Sequence, residues 1–389
     1  MTDGPAVTDG PAVTDGPAVT DGPAVTDGPA VTDGPAVTDG ADVTGGRRRW
    51  DGPDDAAGPD DVGVRRRRAG AVTVTRDDVD AAMARLAGQV RRTPVLAVDA
   101  STVADGPSWV TGPLWFKLEL TQHTGTFKAR GAMNRLRSAA EAGELTDVGV
   151  VAASGGNAGL AVAWAAARLG VPAEIYLPTT SSAAKVRRLS TLGAHVVQVG
   201  REYAEAYEAA TERAAATGAA FCHAYDQPAM VAGAGTLGVE LWEQTGGVDT
   251  VLVAVGGGGL LAGVAAALAG RARLVGVEPV GAPSLHAALA AGGPTDVAVS
   301  GLAADSLGAR RLGQIAYDVA VRCAVTSVLV TDDDLVAARR WLWDRYRLVV
   351  EHGAAAALAG LLAGAYRPEP GERVAVVLCG ANTDPTDLG

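Results

Sequence analysis

Cysteine and positive charge are both scarce in this chain of 389 residues, and each scarcity excludes a class of protein. The three cysteines, Cys222, Cys323 and Cys379, lie far apart and form no C-x-x-C pair, so neither a disulfide framework nor a zinc site is indicated. The formal net charge of −11 argues against nucleic acid as a partner, because phosphate binding requires a basic face. The first residues are polar and repetitive, so no signal peptide is indicated and a cytoplasmic location is expected.

A long uninterrupted hydrophobic run is also missing. The most apolar stretch, residues 251–270, is nearly long enough to span a bilayer, but it contains four consecutive glycines, Gly256 to Gly259. A lone membrane helix would be badly weakened there, because glycine disfavours the helical conformation. A buried strand, a glycine loop and a buried helix explain the stretch better, so no membrane association is expected.

The first 71 residues contain little that could build a hydrophobic core. Residues 2–43 repeat the unit Thr-Asp-Gly-Pro-Ala-Val with period six and end in a variant unit. Glycine and proline in every full unit prevent helix, and one valine per unit cannot form a core. Residues 1–71 are therefore predicted to be a disordered low-complexity extension and linker. The prolines also argue against a stacked β-helix of the same period.

Residues 72–389 alternate between apolar, strand-like runs and alanine-rich helical segments. Apolar positions spaced near 3.6 residues predict a helix over residues 76–90, ended by Pro94 because the residue before proline is pushed out of the α region. Strands are predicted near residues 148–152, 173–177, 194–199, 250–255, 273–278, 325–330 and 373–379. This alternation is typical of an α/β fold with mostly parallel sheets and helices on both faces.

One lysine lies where α/β folds commonly place catalytic groups. The strand-like run at residues 114–120 is followed by a glycine-containing turn and by a predicted helix from Lys128 to about Ser138. Lys128 would therefore lie in the first turn of a helix, just past the end of a strand. The helix terminus, desolvation and a nearby cation each lower the pKa of a lysine, and the neutral amine is the form that attacks a carbonyl. A solvated surface lysine is the plainer alternative.

Three glycine-rich turns follow predicted strands, at residues 154–159, 256–259 and 379–382. Glycine runs let backbone N–H groups wrap around an anion, so the loop Gly256 to Gly259 predicts a phosphate site; a tight packing turn is the alternative. Neither a dinucleotide-binding fingerprint nor a Walker motif is convincing. A lysine, an asparagine-bearing loop and a phosphate cradle together favour an aldehyde cofactor that carries a phosphate and forms a Schiff base with Lys128.

Four motifs in this order resemble the serine/threonine dehydratases, which are pyridoxal-phosphate (PLP) enzymes of the tryptophan-synthase-β-like fold, fold type II. Residues 124–132 (Thr-Gly-Thr-Phe-Lys-Ala-Arg-Gly-Ala) look like the cofactor-lysine motif, residues 154–157 like the asparagine loop, and residues 256–260 like the phosphate loop. Residues 226–228, followed by residues 233–240, are similar to a further family signature. The resemblance implies a large PLP-binding domain of residues 72–149 and 228–389, and a small domain of residues 150–227.

The resemblance also implies roles for individual residues. Lys128 would hold PLP and remove the substrate Cα proton, and Asn157 would donate a hydrogen bond to the oxygen on the pyridine ring. Cofactor binding would involve Lys128, Asn157, Gly256, Gly257, Gly258, Gly259, Leu260 and Cys379. Substrate binding would involve Thr126, Ser154, Gly155 and Asn157. Cys379 would face the ring nitrogen, and a neutral partner there favours β-elimination over transamination; a small buried residue at a strand end is the alternative.

Glu278, Ala282 and Ser284 fall where the family often places a cation beside the phosphate loop. Side-chain and carbonyl oxygens at these positions would suit a hard ion such as K⁺ or Mg²⁺. A salt bridge at the end of a strand is the alternative for Glu278.

Three departures from the family pattern bear on the reaction. Ala158 follows the loop asparagine where the family often has histidine. Gly155 stands where serine racemases carry a serine, so a proton donor on the opposite face of the substrate is missing and racemisation is disfavoured. The chain stops ten residues after Cys379, so the C-terminal regulatory domain of isoleucine-inhibited members, and inhibition through it, are not expected.

The sequence therefore predicts a PLP-dependent L-threonine/L-serine dehydratase (ammonia-lyase) that forms 2-oxobutanoate or pyruvate plus ammonia. Its partner would be a small amino-acid substrate, and similar enzymes are commonly homo-oligomers, either dimers or tetramers. Serine racemase, hydroxyaspartate dehydratase and β-replacement enzymes of the same fold are alternatives, as is a catalytically silent binding protein. Nothing in the sequence separates threonine from serine, since one methyl group in a pocket is worth only about 1–3 kcal/mol.

Overall fold

The computed structural model describes Met1, residues 73–98 and residues 108–388 of the chain. Apart from Met1, the predicted extension at residues 1–71 lies outside the described residues. The helices are α1 (Arg76–Leu86), α2 (Lys128–Glu141), α3 (Asn157–Leu169), α4 (Ala183–Thr191), α5 (Tyr203–Thr217), α6 (Pro228–Thr245), α7 (Gly259–Leu268), α8 (Ser284–Ala291), α9 (Ala304–Leu307), α10 (Gln314–Arg322), α11 (Asp332–Tyr346) and α12 (His352–Leu362). The strands are β1 (Val95–Val98), β2 (Leu114–Lys117), β3 (Val150–Ala153), β4 (Ala173–Leu177), β5 (His195–Gln198), β6 (Ala220–Cys222), β7 (Thr250–Ala254), β8 (Arg273–Pro279), β9 (Thr326–Val330) and β10 (Val374–Val377).

A six-stranded sheet with the order β1-β2-β10-β7-β8-β9 forms the larger part of the fold. All its neighbouring strands are parallel except β1, which runs antiparallel to β2 at the edge. Every residue of the central strands β7 and β10 is buried, as expected for strands covered by helices on both faces. The fold is therefore α/β with mostly parallel sheets, as predicted.

A second sheet, with the order β5-β4-β3-β6, is entirely parallel and lies within residues 150–222. Successive residues of β3 point to opposite faces, because the side-chain period of a strand is two. Val150 and Ala152 accordingly join one apolar cluster, and Val151 and Ala153 join another on the other face. The predicted small domain, residues 150–227, contains this whole sheet; its independence as a domain stays a prediction.

The structure moves the ends of two predicted helices and adds two strands that the sequence analysis did not predict. The first helix ends at Leu86 rather than at residue 90, and Gly88 follows with a φ of +69°, a conformation that only glycine adopts readily. Pro94 is therefore not what ends it. The helix from Lys128 runs to Glu141, three residues beyond the prediction. Strands β1 and β6 were missed, since four and three residues are too short for a clear period.

The parallel strands β2, β10 and β7 bring three of the predicted motifs to one edge of the large sheet. The three strands are neighbours, so their carboxyl ends meet. Lys128 follows β2 after two short 3₁₀ turns, Cys379 follows β10, and the loop Gly256 to Gly259 follows β7. The predicted apolar stretch at residues 251–270 is thus β7, the glycine loop and α7. In the part of the chain that the structure describes, no helix has the length and apolarity needed to cross a membrane.

A buried cluster of charged side chains supports the same region from within. Arg130 donates to Glu119 at 2.6 Å from Nε and to Glu240 at 2.7 Å from Nη1. Lys117 donates to the second oxygen of Glu240 at 2.7 Å, and all four side chains are almost completely buried. The arginine of the lysine motif is therefore a structural residue that ties α2 to α6.

Candidate active site

Lys128 is held at the start of α2 by main-chain contacts with the segment that follows β10. Thr126 forms an antiparallel bridge with Gly380, and the Phe127 N–H donates to the Cys379 carbonyl at 3.1 Å. The Lys128 N–H is 3.3 Å from the hydroxyl of Thr126, which is fully buried. These contacts fix where the lysine leaves the backbone, so its side chain emerges beside Cys379.

The amine of Lys128 lies in protein although part of the side chain stays open to solvent. Its Nζ donates to the Ala224 carbonyl at 2.8 Å and lies 5.0 Å from the centre of the Phe127 ring. Desolvation lowers the pKa of Lys128 to about 8, against the opposing effect of Cys379 and Glu351. At this pKa a substantial fraction of the amine is neutral near physiological pH, which suits a nucleophile or a base.

The end of the tetraglycine loop shares a narrow cavity of about 10 Å³ with Lys128. The walls of this cavity include Lys128, Ala224, Tyr225, Gly259 and Leu260. Gly258 has a φ of +85°, and a Cβ at Gly257 would lie 2.3 Å from the Tyr225 ring, so side chains at both positions would be excluded. Lys128 and the glycine loop therefore lie next to each other, although they are more than 125 residues apart in the sequence.

Two helices that carry predicted site residues, α3 and α7, begin without a capping side chain. Among the described residues, no side-chain cap is formed at the N-terminus of α3 or α7, whereas Thr75, Ser182 and Thr331 cap α1, α4 and α11. The first N–H groups of a helix have no partner within the helix. They attract anions, and the helix dipole adds to this attraction. The uncapped start of α7, in the glycine loop, is therefore suited to a phosphate.

Asn157, the first residue of α3, lies in a network of side-chain hydrogen bonds. Its Nδ2 donates to both carboxylate oxygens of Glu351, at 2.8 and 3.1 Å. Its Oδ1 accepts from Nδ2 of Asn382 at 2.7 Å. Glu351 is buried, and desolvation raises its pKa to about 7 even though the bond from Asn157 favours the charged form.

The remaining predicted cofactor and substrate residues lie on the same segments. Cys379 is buried, and burial raises the pKa of its thiol well above the ordinary value, so it is neutral. The Ser154 hydroxyl accepts from the Gly156 N–H at 3.3 Å. A Cβ at Gly155 would lie 3.1 Å from the Leu177 side chain, which leaves little room for a larger residue. The assignment of these residues to PLP and substrate stays a prediction.

Glu278 and Ser284, two of the three predicted cation ligands, are hydrogen-bonded to each other and to neighbouring backbone. The Glu278 carboxylate accepts from Ser284 at 3.1 Å and from the N–H groups of Leu285 and His286 at 2.7 and 2.9 Å, so it caps α8. Ser284 also donates to the Gly256 carbonyl at 2.5 Å, and Ala282 is buried nearby. The described residues contain no cluster of three or more His, Cys, Asp or Glu side chains that could hold a metal ion.

Sequence reasoning missed Ala224, Tyr225 and Glu351, and it gave Asn382 no role. Glu351 precedes a helix whose residues 353–361 are all buried, a position where an acidic residue is usually interpreted as a helix cap. Its carboxylate instead binds Asn157. Ala224 and Tyr225 directly precede the Asp226 motif, which was the available signal for them.

Comparisons with known proteins agree with this geometry. The family model described as pyridoxal-phosphate dependent enzyme matches residues 86–380. A phenylserine dehydratase of Ralstonia pickettii is 39% identical over 77% of this chain and 91% of its own length. An L-threonine ammonia-lyase of Geobacter sulfurreducens is 37% identical over 70% of this chain and 68% of its own length. The structure of maize serine racemase superposes with a TM-score of 0.75 at 31% identity, over 82% of this chain and 96% of that one.

The two-sheet architecture is the tryptophan-synthase-β-like fold of PLP enzymes, as the sequence motifs indicated. The relatives named above include dehydratases and a racemase. They support dehydration of a hydroxyamino acid at the level of the family and leave the individual substrate open.

Proposed function

We propose that this chain, which belongs to the family of pyridoxal-phosphate dependent enzymes, is an L-threonine/L-serine dehydratase (ammonia-lyase). The products would be 2-oxobutanoate from threonine, pyruvate from serine, and ammonia from both. One observation carries the proposal: the partly neutral amine of Lys128 lies in a cavity with Gly259 and Leu260, at the start of α7, which has no capping side chain. Amine and anion site are the two features that a phosphorylated aldehyde requires.

The residues present match the chemical groups of PLP, but the cavity of about 10 Å³ has to widen to admit it, and the Tyr225 ring has to move away from Gly257. The phosphate would bind to backbone N–H groups of Gly256 to Gly259 and Leu260, Lys128 would attach the aldehyde, and Asn157 and Cys379 would contact the ring. When bound, PLP supplies an electron sink for the substrate Cα. Thr126, Ser154 and the N-terminus of α3 would hold the substrate carboxylate, because uncapped N–H groups and hydroxyls bind anions.

Lys128 would remove the Cα proton, and its lowered pKa supports this role. With a pKa of about 8, about one Lys128 amine in ten is neutral at pH 7, against about one in three thousand for an ordinary lysine. A general base is most effective when its pKa lies near the working pH. The buried, neutral thiol of Cys379 cannot act as a charged partner for the ring nitrogen, which favours loss of the β-hydroxyl over transamination.

Gly155 supports dehydration over racemisation. A racemase needs a proton donor on each face of the substrate, and glycine supplies no side-chain donor at this position.

Reductive trapping tests the central assignment, and the chain is well suited to it because it contains only three lysines, Lys117, Lys128 and Lys185. Borohydride reduction of the PLP-loaded protein, followed by peptide mass mapping, should place the pyridoxyl group on Lys128. Lys185, which is 37% exposed, and the buried Lys117, paired with Glu240, serve as internal controls. Lys128→Ala should lose the visible absorbance and the formation of 2-oxoacid. Label on Lys185 or full turnover in Lys128→Ala would disprove the proposal.

Phenylserine is a second candidate substrate, because the Ralstonia relative, named a phenylserine dehydratase, is 39% identical over most of its length. Comparison of kcat/KM for L-threonine, L-serine, hydroxyaspartate and phenylserine decides between these substrates. A D-amino acid product in place of a 2-oxoacid would favour a racemase, and consumption of a thiol would favour β-replacement.

We also propose that a cation, K⁺ or Mg²⁺, binds at Glu278, Ala282 and Ser284. The contact of Ser284 with Gly256 would then couple the cation to the glycine loop. Activity in K⁺ or Mg²⁺ compared with activity in tetramethylammonium tests this, and equal rates would contradict the proposed cation site.

A homo-oligomer, dimer or tetramer, is proposed and is tested by light scattering of the holoenzyme. The cytoplasmic location stays a prediction.

A further inference from the structure

Four residues from four separate segments form one chain of side-chain hydrogen bonds. Arg188 of α4 donates from Nη2 to Asn382 Oδ1 at 2.5 Å. Asn382 donates from Nδ2 to Asn157 Oδ1 at 2.7 Å and to the Thr124 carbonyl at 2.8 Å. Asn157 in turn donates from Nδ2 to Glu351 at 2.8 and 3.1 Å. The chain thus runs from an exposed arginine to a buried carboxylate and passes through the asparagine loop.

The two ends of this chain fix the direction of every bond within it. A guanidinium can only donate hydrogen bonds, and an ionised carboxylate can only accept them. Each asparagine amide between them therefore fits in one orientation. Rotation of the Asn157 amide by 180° would bring its oxygen against the Glu351 carboxylate and its nitrogen against Asn382 Nδ2, so acceptors would face acceptors and donors would face donors.

The orientation decides what Asn157 offers to a ligand. Its oxygen accepts from Asn382, and its nitrogen faces both carboxylate oxygens of Glu351, so any hydrogen bond from this amide to a ligand has to come from the N–H side. A reversed amide would offer a lone pair instead. The difference matters for a cofactor with a ring oxygen, because that oxygen accepts hydrogen bonds.

We propose that Arg188, Asn382 and Glu351 are positioning residues that hold the Asn157 amide with an N–H directed to the ring oxygen of PLP. This inference rests on the proposed function, because it takes PLP as the ligand of Asn157. None of the three residues needs to touch the cofactor. Their effect passes through the orientation of Asn157, with Asn382 held both by Arg188 and by the Thr124 carbonyl.

The central variant is Asn382→Asp, which keeps an acceptor for Arg188 but loses the donor to Asn157. PLP affinity of the purified apoenzyme, measured by fluorescence titration at pH 8, should fall by about tenfold or more, since an acceptor then faces the Asn157 oxygen and the Thr124 carbonyl in a partly buried site. The unfolding midpoint of the apoenzyme in urea should fall as well. The pH of 8 lies above the pKa of Glu351, which is about 7.

Adding Glu351→Gln to Asn382→Asp separates positioning from structural support. In the double variant Asn157 can reverse, because the glutamine introduced at position 351 donates to its oxygen and the aspartate introduced at position 382 accepts from its nitrogen. Part of the lost unfolding midpoint should return, but PLP affinity should stay low because the amide now presents its oxygen. Return of affinity together with stability would show that the residues act only as structural supports. Wild-type affinity in Asn382→Asp would also overturn the proposal.

A second pair of variants removes only the ends of the chain and avoids burying a new charge. Arg188→Ala should change PLP affinity by less than about threefold, because the Thr124 carbonyl still accepts from Asn382 Nδ2 and holds that amide in its orientation. Glu351→Gln should likewise change it by less than about threefold, because Asn382 still donates to Asn157. Arg187→Ala, an exposed neighbour on α4, is the matched control and should leave affinity unchanged. A loss of tenfold or more in either end variant would contradict the proposal, because Asn382 should still hold the Asn157 amide.

The apoenzyme readout keeps this inference separate from the proposed function. If the wild-type protein bound no PLP, the proposed function and the positioning role would both be wrong. If the wild type bound PLP and the variants behaved as wild type, only the positioning role would be wrong.

Discussion

Two buried glutamates, Glu278 and Glu351, hold protons more tightly than exposed glutamates do. Desolvation raises the pKa of each to about 7, from an ordinary value of 4.5. Both accept hydrogen bonds that favour the charged form, but burial outweighs them. Ionisation of either glutamate therefore costs more free energy in the folded apoenzyme than in the unfolded chain.

This cost makes part of the stability of the apoenzyme depend on pH. The pKa of each glutamate is higher in the folded state than in the unfolded state. The stabilisation that the protonated side chain contributes is therefore fully present below pH 4.5 and is lost as pH rises through 7. A shift from 4.5 to about 7 corresponds to roughly 3 kcal/mol for each residue. Glu351→Gln should therefore flatten the fall in the free energy of unfolding between pH 5 and pH 8, measured in urea. Parallel pH profiles for wild type and variant would contradict this.

At the scale of single residues, sequence could predict the groups that a motif names but not their long-range partners. Lys128, Asn157 and the four glycines stand in recognisable local patterns, and the structure gathers Lys128 and the glycine loop around one cavity. Glu351 and Asn382 reach Asn157 from 194 and 225 residues away. No local pattern encodes such a pairing, because it depends on where the fold places the residue before α12 and the loop after β10 relative to α3.

At the scale of elements, a buried ion cluster joins α2, which carries the catalytic candidate, to α6. Glu240 of α6 pairs with both Arg130 and Lys117, and none of these side chains is more than 5% exposed. Its removal would leave two buried cations without this carboxylate. Glu243, one turn further along α6, pairs instead with Arg92 at the surface, where both side chains are about half exposed.

The two glutamates give a matched comparison on one helix. Glu240→Ala should lower the free energy of unfolding by about 3–5 kcal/mol, because an uncompensated buried charge is costly. Glu243→Ala should change it by less than about 1 kcal/mol, since exposed ion pairs contribute little. Urea unfolding of both apoenzyme variants checks the difference. Equal effects of the two substitutions would mean that the buried cluster does not stabilise the packing of α2 on α6.

Periodicity predicted the element types of long segments correctly, and it failed for short segments. The strand predicted at residues 173–177 coincides with β4, and the other predicted strands differ by a few residues at most. β1 and β6 escaped because three or four residues show no clear alternation. Packing decides such segments: β1 is a strand because β2 supplies a hydrogen-bonding edge.

At the scale of the whole molecule, residues 73–75 attach the start of α1 to the main core. Val74 is fully buried in the main core, and Arg322 donates to the Thr73 hydroxyl at 2.5 Å and to the Val74 carbonyl at 3.0 Å. Thr75 caps α1 through a reciprocal contact with Asp78. The predicted site residues all lie beyond this point, between Thr126 and Cys379.

Two truncations follow from these contacts and differ by only three residues. A chain that begins at Thr73, after an added Met, should keep PLP affinity and kcat/KM within about twofold of the full chain, because the removed residues carry no predicted site residue. A chain that begins at Arg76 loses the burial of Val74 and the cap of Thr75, which together should lower the free energy of unfolding by roughly 2–4 kcal/mol. Urea unfolding and threonine turnover of the two proteins test this. A large loss of turnover already in the longer truncated chain would assign residues 2–72 a part in catalysis that the sequence did not indicate.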